Sequence, residues 1–390
     1  MKVGLVECSS YDDELVKSKV EDVLNLIGGL DGVIKKGMNV VIKANLVSAI
    51  NPNKCATSHP SVVKAVAEKV MTYGANCIIA DSSGGPFNSA YMNTVYRVTE
   101  MAKVCEESGA KLNQDFSYKM IENQNAVMHK EWPIINVLNN ADLIINIAKL
   151  KTHTFMGYSG AVKNLYGAIP GLMKVEMHGN FKDQYSFSNY IIDIYETLKD
   201  KICLNIIDGV EGMEGDGPTS GTPIKMNCLL ASVDAYSLDF VMLKIMGVDY
   251  LTMPLMQKQI ERNLMSIDNI EIVGEDYKKF IKADFKNTEI EIYNSNTKKV
   301  PLFLNGFVHK LLTRRPVIKK KHCKGCKKCF EHCPVKAIEM KEKADKKQYA
   351  KIDCNKCIRC FCCQELCPFN IVKIKSGVVY KIVHRKRKNK

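Results

Sequence analysis

Residues 39–81 read NVVIKANLVSAINPNKCATSHPSVVKAVAEKVMTYGANCIIAD. Apolar, β-branched runs open and close this stretch, NVVIKANL over 39–46 and NCIIAD over 76–81, as in strands covered on both faces. Between them, HPSVVKAVAEKVMTYG repeats its apolar positions at helical spacing. Pro60 suits the first helical turn and Gly74 the end. Strand, helix, strand is the unit of a parallel sheet. Working outward, VGLVE (3–7), ADLIINIAK (141–149) and ICLNIID (202–208) read as further buried strands. The pattern predicts an α/β fold: a large domain over 1–298 with a mainly parallel sheet and flanking helices. Ligands of such sheets sit beyond the carboxyl ends of the strands, so the loops that follow strands are where a site is expected.

The 390 residues are 46% hydrophobic and 25% charged, an ordinary globular composition. No run approaches the 18 or so apolar residues of a membrane span. Glu7 interrupts the start before a secretory core could form, so the expected location is cytoplasmic, where thiols stay reduced. Sixteen cysteines then need a reason, and ten of them fall within 323–367. The other six (Cys8, Cys55, Cys77, Cys105, Cys203, Cys228) read as small buried hydrophobes. Charge divides the chain near the same place. Residues 310–390 hold 25 Lys and Arg against 6 Asp and Glu, while 1–309 hold 31 against 36. The expected boundaries are a linker helix over 299–318, a cysteine-rich domain over 319–376 and a basic tail over 377–390. The linker helix is expected to dock the two domains or, alternatively, to lie on a membrane surface.

The cysteines run C-x2-C-x2-C-x3-C-P twice: Cys323, Cys326, Cys329, Cys333 with Pro334, then Cys357, Cys360, Cys363, Cys367 with Pro368. This resembles the bacterial two-[4Fe-4S] ferredoxins over about 60 residues, which implies a small α+β domain carrying two [4Fe-4S] clusters. In that family the fourth cysteine of each run ligates the other cluster. The resemblance therefore assigns Cys323, Cys326, Cys329 and Cys367 to one cluster and Cys357, Cys360, Cys363 and Cys333 to the other. Structural zinc is the rival use of four thiolates. A frame starting at Cys354 is the rival spacing; the later frame leaves Cys354 and Cys362 unligated. The basic tail lacks aromatic interleaving or any groove-reading motif, so no specific nucleic-acid partner is expected. A solvated tail, or one steering an acidic redox partner, is.

Several segments together, VVIKANLV with TSHP downstream, IIADSSGGP, LKTHTFMGYSGAVKNLYGAIPG, DGVEGMEGDGP and CIRCFCCQELCP, resemble the iron–sulfur form of the domain of unknown function 362 family. That family supplies no reaction. Within it, residues 152–171 (THTFMGYSGAVKNLYGAIPG) are similar to a segment of the nickel-pincer lactate racemases, whose His does acid/base work and whose Lys holds the cofactor. Carried across, these are His153 and Lys163, and the likeness speaks for a pocket architecture without speaking for nickel or racemisation.

The residues alone point the same way. Lys149, Lys151, His153 and Lys163 crowd a strand end, a Gly-rich loop and a helix start, where cations and backbone N–H groups suit a carboxylate or phosphate. A lysine among other cations loses pKa and can donate a proton. His153 and Lys163 are the expected catalytic pair. Lys149, Lys151, Ser159, Asn45, Asp81 and Ser82 are expected to bind substrate. Thr57 and His59 also lie near a strand end or helix start, where polar side chains cap. The acidic, Gly-rich stretch 208–221 is expected to wrap a ligand or bind a cation. No Walker loop or dinucleotide fingerprint is present. The expected function is an iron–sulfur reductase of anaerobic metabolism. Ferredoxin or flavodoxin would supply electrons, the substrate would be a small anionic organic molecule, and a further organic cofactor is an open position. The alternatives are an electron-transfer or cofactor-assembly protein without a substrate, and a racemase- or lyase-like enzyme with structural clusters.

Overall fold

A computed structural model describes residues 1–288, 313–343 and 346–377. The chain forms two compact units. One consists of 1–174 with 188–288; the other takes in Val175–Phe187 and the described residues from 313 onward.

The strands of the first unit are β1 (Lys2–Glu7), β2 (Asn39–Lys43), β3 (Asn76–Ala80), β4 (Lys111–Leu112), β5 (Tyr118–Glu122), β6 (Glu131–Ile135), β7 (Leu143–His153), β8 (Gly157–Ser159), β9 (Ile202–Glu214), β10 (Thr222–Ser232) and β11 (Glu271–Gly274). One sheet runs β11-β1-β10-β9-β7-β2-β3-β4, with β8 added beside β7. Its β9-β7-β2-β3-β4 half is parallel throughout. Only β10, between β1 and β9, and β8 run antiparallel to their neighbours. β5 and β6 form a separate hairpin.

Helices α1 (Asp13–Leu26), α2 (Pro60–Thr72), α3 (Ser89–Val98) and α4 (Met101–Ser108) follow early strands. α2 begins at Pro60, its N-cap His59 accepting from the Ser61 N–H, and Gly74 closes it at φ +69°. Beyond β6 come α5 (Asn136–Asn139), α6 (Ala161–Asn164), α7 (Met173–Asn180), α8 (Gln184–Leu198), α9 (Ala235–Ile245) and α10 (Pro254–Glu261). Val40, Ile42, Ile79, Ile145, Ile147, Leu204 and Ile206 from four parallel strands form one core with Val62, Val66 and Val70 of α2. The α/β architecture with a largely parallel sheet is present.

Three expectations change. β7 does not release the chain at Lys149 but continues to His153 and turns directly into β8. The stretch from Asp208 to Glu214 is β9 paired with β10, not a ligand-wrapping loop. Its glycines answer to packing: a Cβ on Gly212 would lie 2.8 Å from Leu150 Cδ2, and one on Gly209 2.9 Å from Cys228 Sγ. The linker expected as helix over 299–318 falls mostly outside the described residues, and Arg314–Ile318 is a strand. The tail over 378–390 also lies outside them.

The second unit pairs β12 (Arg314–Ile318) with β15 (Val372–Ser376) and β13 (Ile338–Glu342) with β14 (Gln348–Ile352). Short helices α11 (Lys328–Glu331) and α12 (Cys362–Glu365) lie within the two cysteine runs. The runs repeat backbone as well as cysteines. Gly325 and Arg359, Lys327 and Phe361, and Lys336 and Asn370 occupy matching positions, all with positive φ. Six left-handed residues in register, five of them not glycine, are a conformation that tertiary context must enforce. Val175–Phe187 joins this unit although 1–298 was expected to be one domain. There Gly179 sits against Pro334, where a Cβ would be 3.2 Å from the proline ring, and His178 stacks on Phe187 at 4.2 Å.

Candidate functional site

Two constellations carry chemistry. In the second unit, Cys323, Cys326, Cys329 and Cys367 line one cavity, closed by Ile318, Met340, Ile371 and Val372. Burial pushes the Cys329 thiol up to about 12, and its like-charged neighbours Cys367, Cys326 and Cys323 add to this. Burial likewise raises Cys357 to about 11, with Cys360 and Cys333 adding, and raises Cys363 beside Cys360, Cys357, Cys329 and Cys333. Cys367 thus shares a cavity with the first three cysteines of the first run, and Cys333 lies near Cys357 and Cys363. Four thiols packed in apolar surroundings ionise together only around a cationic centre, so metal binding and deprotonation are linked. Among the described residues, no three His, Cys, Asp or Glu side chains converge on a single ion. Cys323, Cys326, Cys329 and Cys367 instead line a shared cavity. The donor set fits [4Fe-4S] clusters. Of the surplus thiols, Cys362 is buried against Cys360, whose thiol it holds below the usual range, and Cys354 lines a small groove with Cys357, Arg315 and Arg359.

The other constellation lies at the carboxyl ends of β2, β3, β7 and β9. Lys43 is wholly buried, its Nζ 2.7 Å from Asp81 Oδ1 and donating to the Ala44 carbonyl at 2.8 Å. Burial pulls the Lys43 ammonium below its usual range, and Asp81 opposes that. Asp81 also accepts from the Leu46 and Ser82 N–H groups at 2.6 and 2.8 Å. Gly167 backs onto the pair, where a Cβ would meet Asp81 Oδ1 at 2.2 Å. Lys174 donates to the Ser82 and Ile169 carbonyls at 2.8 and 2.7 Å and to Ser82 Oγ at 3.1 Å. Burial lowers its pKa to about 7; Asp81 opposes this, and nearby Lys43 and Lys163 reinforce it. Lys43 thus pairs with Asp81, and Lys174 lies within the electrostatic reach of both and of Lys163.

A second ion pair lies beside it. Lys149 and Asp208 are register partners on β7 and β9, both buried, with Nζ 2.9 Å from Oδ2. Tyr11 O–H donates to Asp208 Oδ1 at 2.8 Å and accepts from Lys149 Nζ at 2.5 Å. His59 stacks on Tyr11 at 3.5 Å, and its backbone N–H donates to Asp208. Burial lowers the His59 pKa to about 4, with Lys149 adding and Asp208 opposing. The unfolded imidazole titrates near 6.5. Between those values the unfolded chain binds more protons, so this contribution to stability is present above about 6.5 and lost as pH falls to about 4. His59→Asn keeps a capping oxygen and removes the titration. Its urea midpoint is expected to fall less between pH 7 and 4.5 than that of the wild type. Equal losses in the two proteins would remove His59 from the account.

The expected residues divide between these networks. Asp81, Ser82 and Lys163 fall with Lys43 and Lys174. Lys151 Nζ donates to Asn45 Oδ1 and the Ala56 carbonyl, both at 2.5 Å. Asn45 in turn donates to Asn164 of α6. Ser159 is the register partner of Lys151. Lys149 is instead held in the Asp208–Tyr11 network. His153, 2% exposed, accepts from the Phe155 and Met156 N–H groups at 3.2 and 3.3 Å, closing the hairpin between β7 and β8. Lys163 is half-buried and lies 5.7 Å from the Tyr166 ring. The N–H groups expected to await a ligand at the start of α6 are taken: Ala161 and Val162 donate to the buried Asp239 carboxylate at 2.6 and 3.2 Å. The expected set lacks Lys43, Lys174, Tyr11 and Asp239, and includes Asp208 only within the acidic stretch 208–221. Only Lys43 carried a signal, a cation inside an apolar run.

Family models match two regions of the chain: one for a domain of unknown function (DUF362) over residues 40–244, the other for a 4Fe-4S dicluster domain over 322–371. A thylakoid-associated protein of Synechocystis sp. is 29% identical over 264 residues, covering 66% of this chain and 78% of its own. Among solved structures, the lactate racemase apoprotein from Thermoanaerobacterium thermosaccharolyticum aligns with a TM-score of 0.40 at 16% identity, over 61% of this chain and 56% of that one. A protein from Thermotoga maritima aligns with a TM-score of 0.34 at 12% identity, over 57% of this chain and 56% of its own. The chain thus spans little more than half the length of either solved chain.

Proposed function

The chain belongs to the DUF362 family and carries a ferredoxin-type 4Fe-4S domain, and on that premise we propose that it is an iron–sulfur oxidoreductase acting on a small anionic organic molecule held by the α/β unit. The observation that carries this reading is the buried Lys43–Asp81 pair with the buried Lys174 beside it at the carboxyl edge of the sheet. Buried ammonium groups beside a strand end attract a carboxylate or phosphate in a low-dielectric setting. Lys163 is the group assigned to touch the ligand and to hold its proton, with His153 as the second acid/base residue. Asp239 positions Lys163 by anchoring the first turn of α6. Lys151, Asn45, Ser159 and Ser82 shape the surroundings.

When bound to the two cysteine sets, [4Fe-4S] clusters supply one-electron transfer at low potential. A ferredoxin or flavodoxin is the proposed donor.

The test uses anaerobically reconstituted full-length protein, reduced and freed of reductant, then offered a panel of small carboxylates and organic phosphates. At least one is expected to restore the oxidised cluster spectrum. Lys163→Ala is expected to slow that reoxidation about ten- to a hundredfold, the loss of one charge-assisted contact. Iron content and melting temperature should stay unchanged, since a half-exposed lysine contributes little to folding. A panel in which no anion is reduced, or a variant as fast as the wild type, would overturn the reading.

A further inference from the structure

We propose that an acidic one-electron carrier protein docks over Cys326, on a face formed by Lys321, Lys324, Lys327 and Lys328. The inference rests on the reading that the cysteines hold clusters fed by an external carrier, and it specifies where that carrier binds.

Of the eight cysteines in the two runs, Cys326 alone is exposed; the rest are buried or half-buried. Electron transfer weakens steeply with distance, so a partner gains most by approaching the ligand nearest solvent. All four lysines around Cys326 are exposed, and among the described residues none of them forms an ion pair. Four uncompensated cations within eight residues make a strongly positive patch, whose complement is a carboxylate-rich surface.

The two runs share their left-handed backbone positions, so the patch is not a by-product of the fold. At the positions of Lys324, Lys327 and Lys328, the second run carries Ile358, Phe361 and Cys362. Phe361 and Cys362 are buried. One framework therefore presents a cationic, open cluster edge in the first run and an apolar, closed one in the second. That asymmetry places the docking face on the first.

The experiment follows reduction of full-length holoprotein by flavodoxin hydroquinone in stopped flow. Lys321→Glu/Lys324→Glu/Lys328→Glu leaves the left-handed Lys327 in place. Its second-order rate at low ionic strength is expected to fall about tenfold or more, and the difference should shrink as salt screens exposed charges. Iron content and the extent of bleaching by dithionite should be unchanged. Lys373→Glu/Lys375→Glu, on β15, should reduce like the wild type. A triple variant as fast as the wild type at low salt, or a slow β15 control, would overturn this docking face alone. Wild-type clusters accepting nothing from flavodoxin or ferredoxin would overturn the electron-transfer reading beneath it as well. If the triple variant instead loses binding to phosphatidylglycerol vesicles while its reduction rate holds, the lysines serve a membrane surface and the proposal is wrong.

Discussion

Cys333→Ser is expected to remove the cluster held by Cys357, Cys360 and Cys363, although Cys333 belongs to the other run. In sequence Cys333 lies four residues from Cys329 and 24 from Cys357. In space, Cys357 and Cys363 are the thiols whose ionisation it opposes, while Cys367 closes the cavity of Cys323, Cys326 and Cys329. A wild type with both clusters holds about eight iron per chain, and the variant should hold about half. Pairing substitutions identifies which half. Adding Cys357→Ser should cost no further iron, because that cluster is already gone; adding Cys323→Ser should remove nearly all of it. The reverse pattern would refute the crossed assignment, and stoichiometric zinc without sulfide would refute the clusters.

The second large effect concerns the buried pair Lys43–Asp81. Asp81→Ala leaves an ammonium in the core without its counter-charge and deprives the Leu46 and Ser82 N–H groups of their acceptor. Breaking a buried pair at one end costs about 3–5 kcal/mol, a large share of the 5–15 kcal/mol that ordinarily holds a domain together. The single tryptophan, Trp132, is buried in the same unit, so its fluorescence reports this unfolding. A pronounced drop in the urea midpoint is expected. Lys43→Met/Asp81→Leu removes both charges and should recover much of the loss. An Asp81→Ala midpoint equal to the wild type would mean that the pair holds nothing in place.

The legible parts of the molecule were those written locally. Val40–Ile42 and Ile78–Ala80 are apolar over consecutive residues because both sheet faces are covered, and α2 declares itself through Pro60 and Gly74. The misreadings at His153 and at 208–214 share a cause. Polar and glycine residues there suggested that the strands had ended, yet Lys149 is neutralised by Asp208 across the sheet, and Gly209 and Gly212 make room for Leu150 and Cys228. A strand tolerates such residues when a neighbour on the adjacent strand compensates, and that neighbour lies 19 to about 60 residues away.

The cysteine runs were legible in the sequence alone, because each sets three thiols within seven residues and short spacing leaves them few other arrangements. The α/β unit's cationic site needed the tertiary structure. Lys43, Asp81, Lys163 and Lys174 come from four segments separated by up to 131 positions, and the sign of the local field depends on which carboxylate folds beside which lysine. Lys149 has its own aspartate in Asp208, while Lys43 takes Asp81 and Lys174 lies beside that pair. Charge in a buried site is a property of pairs, and the pairs are made only when the sheet closes.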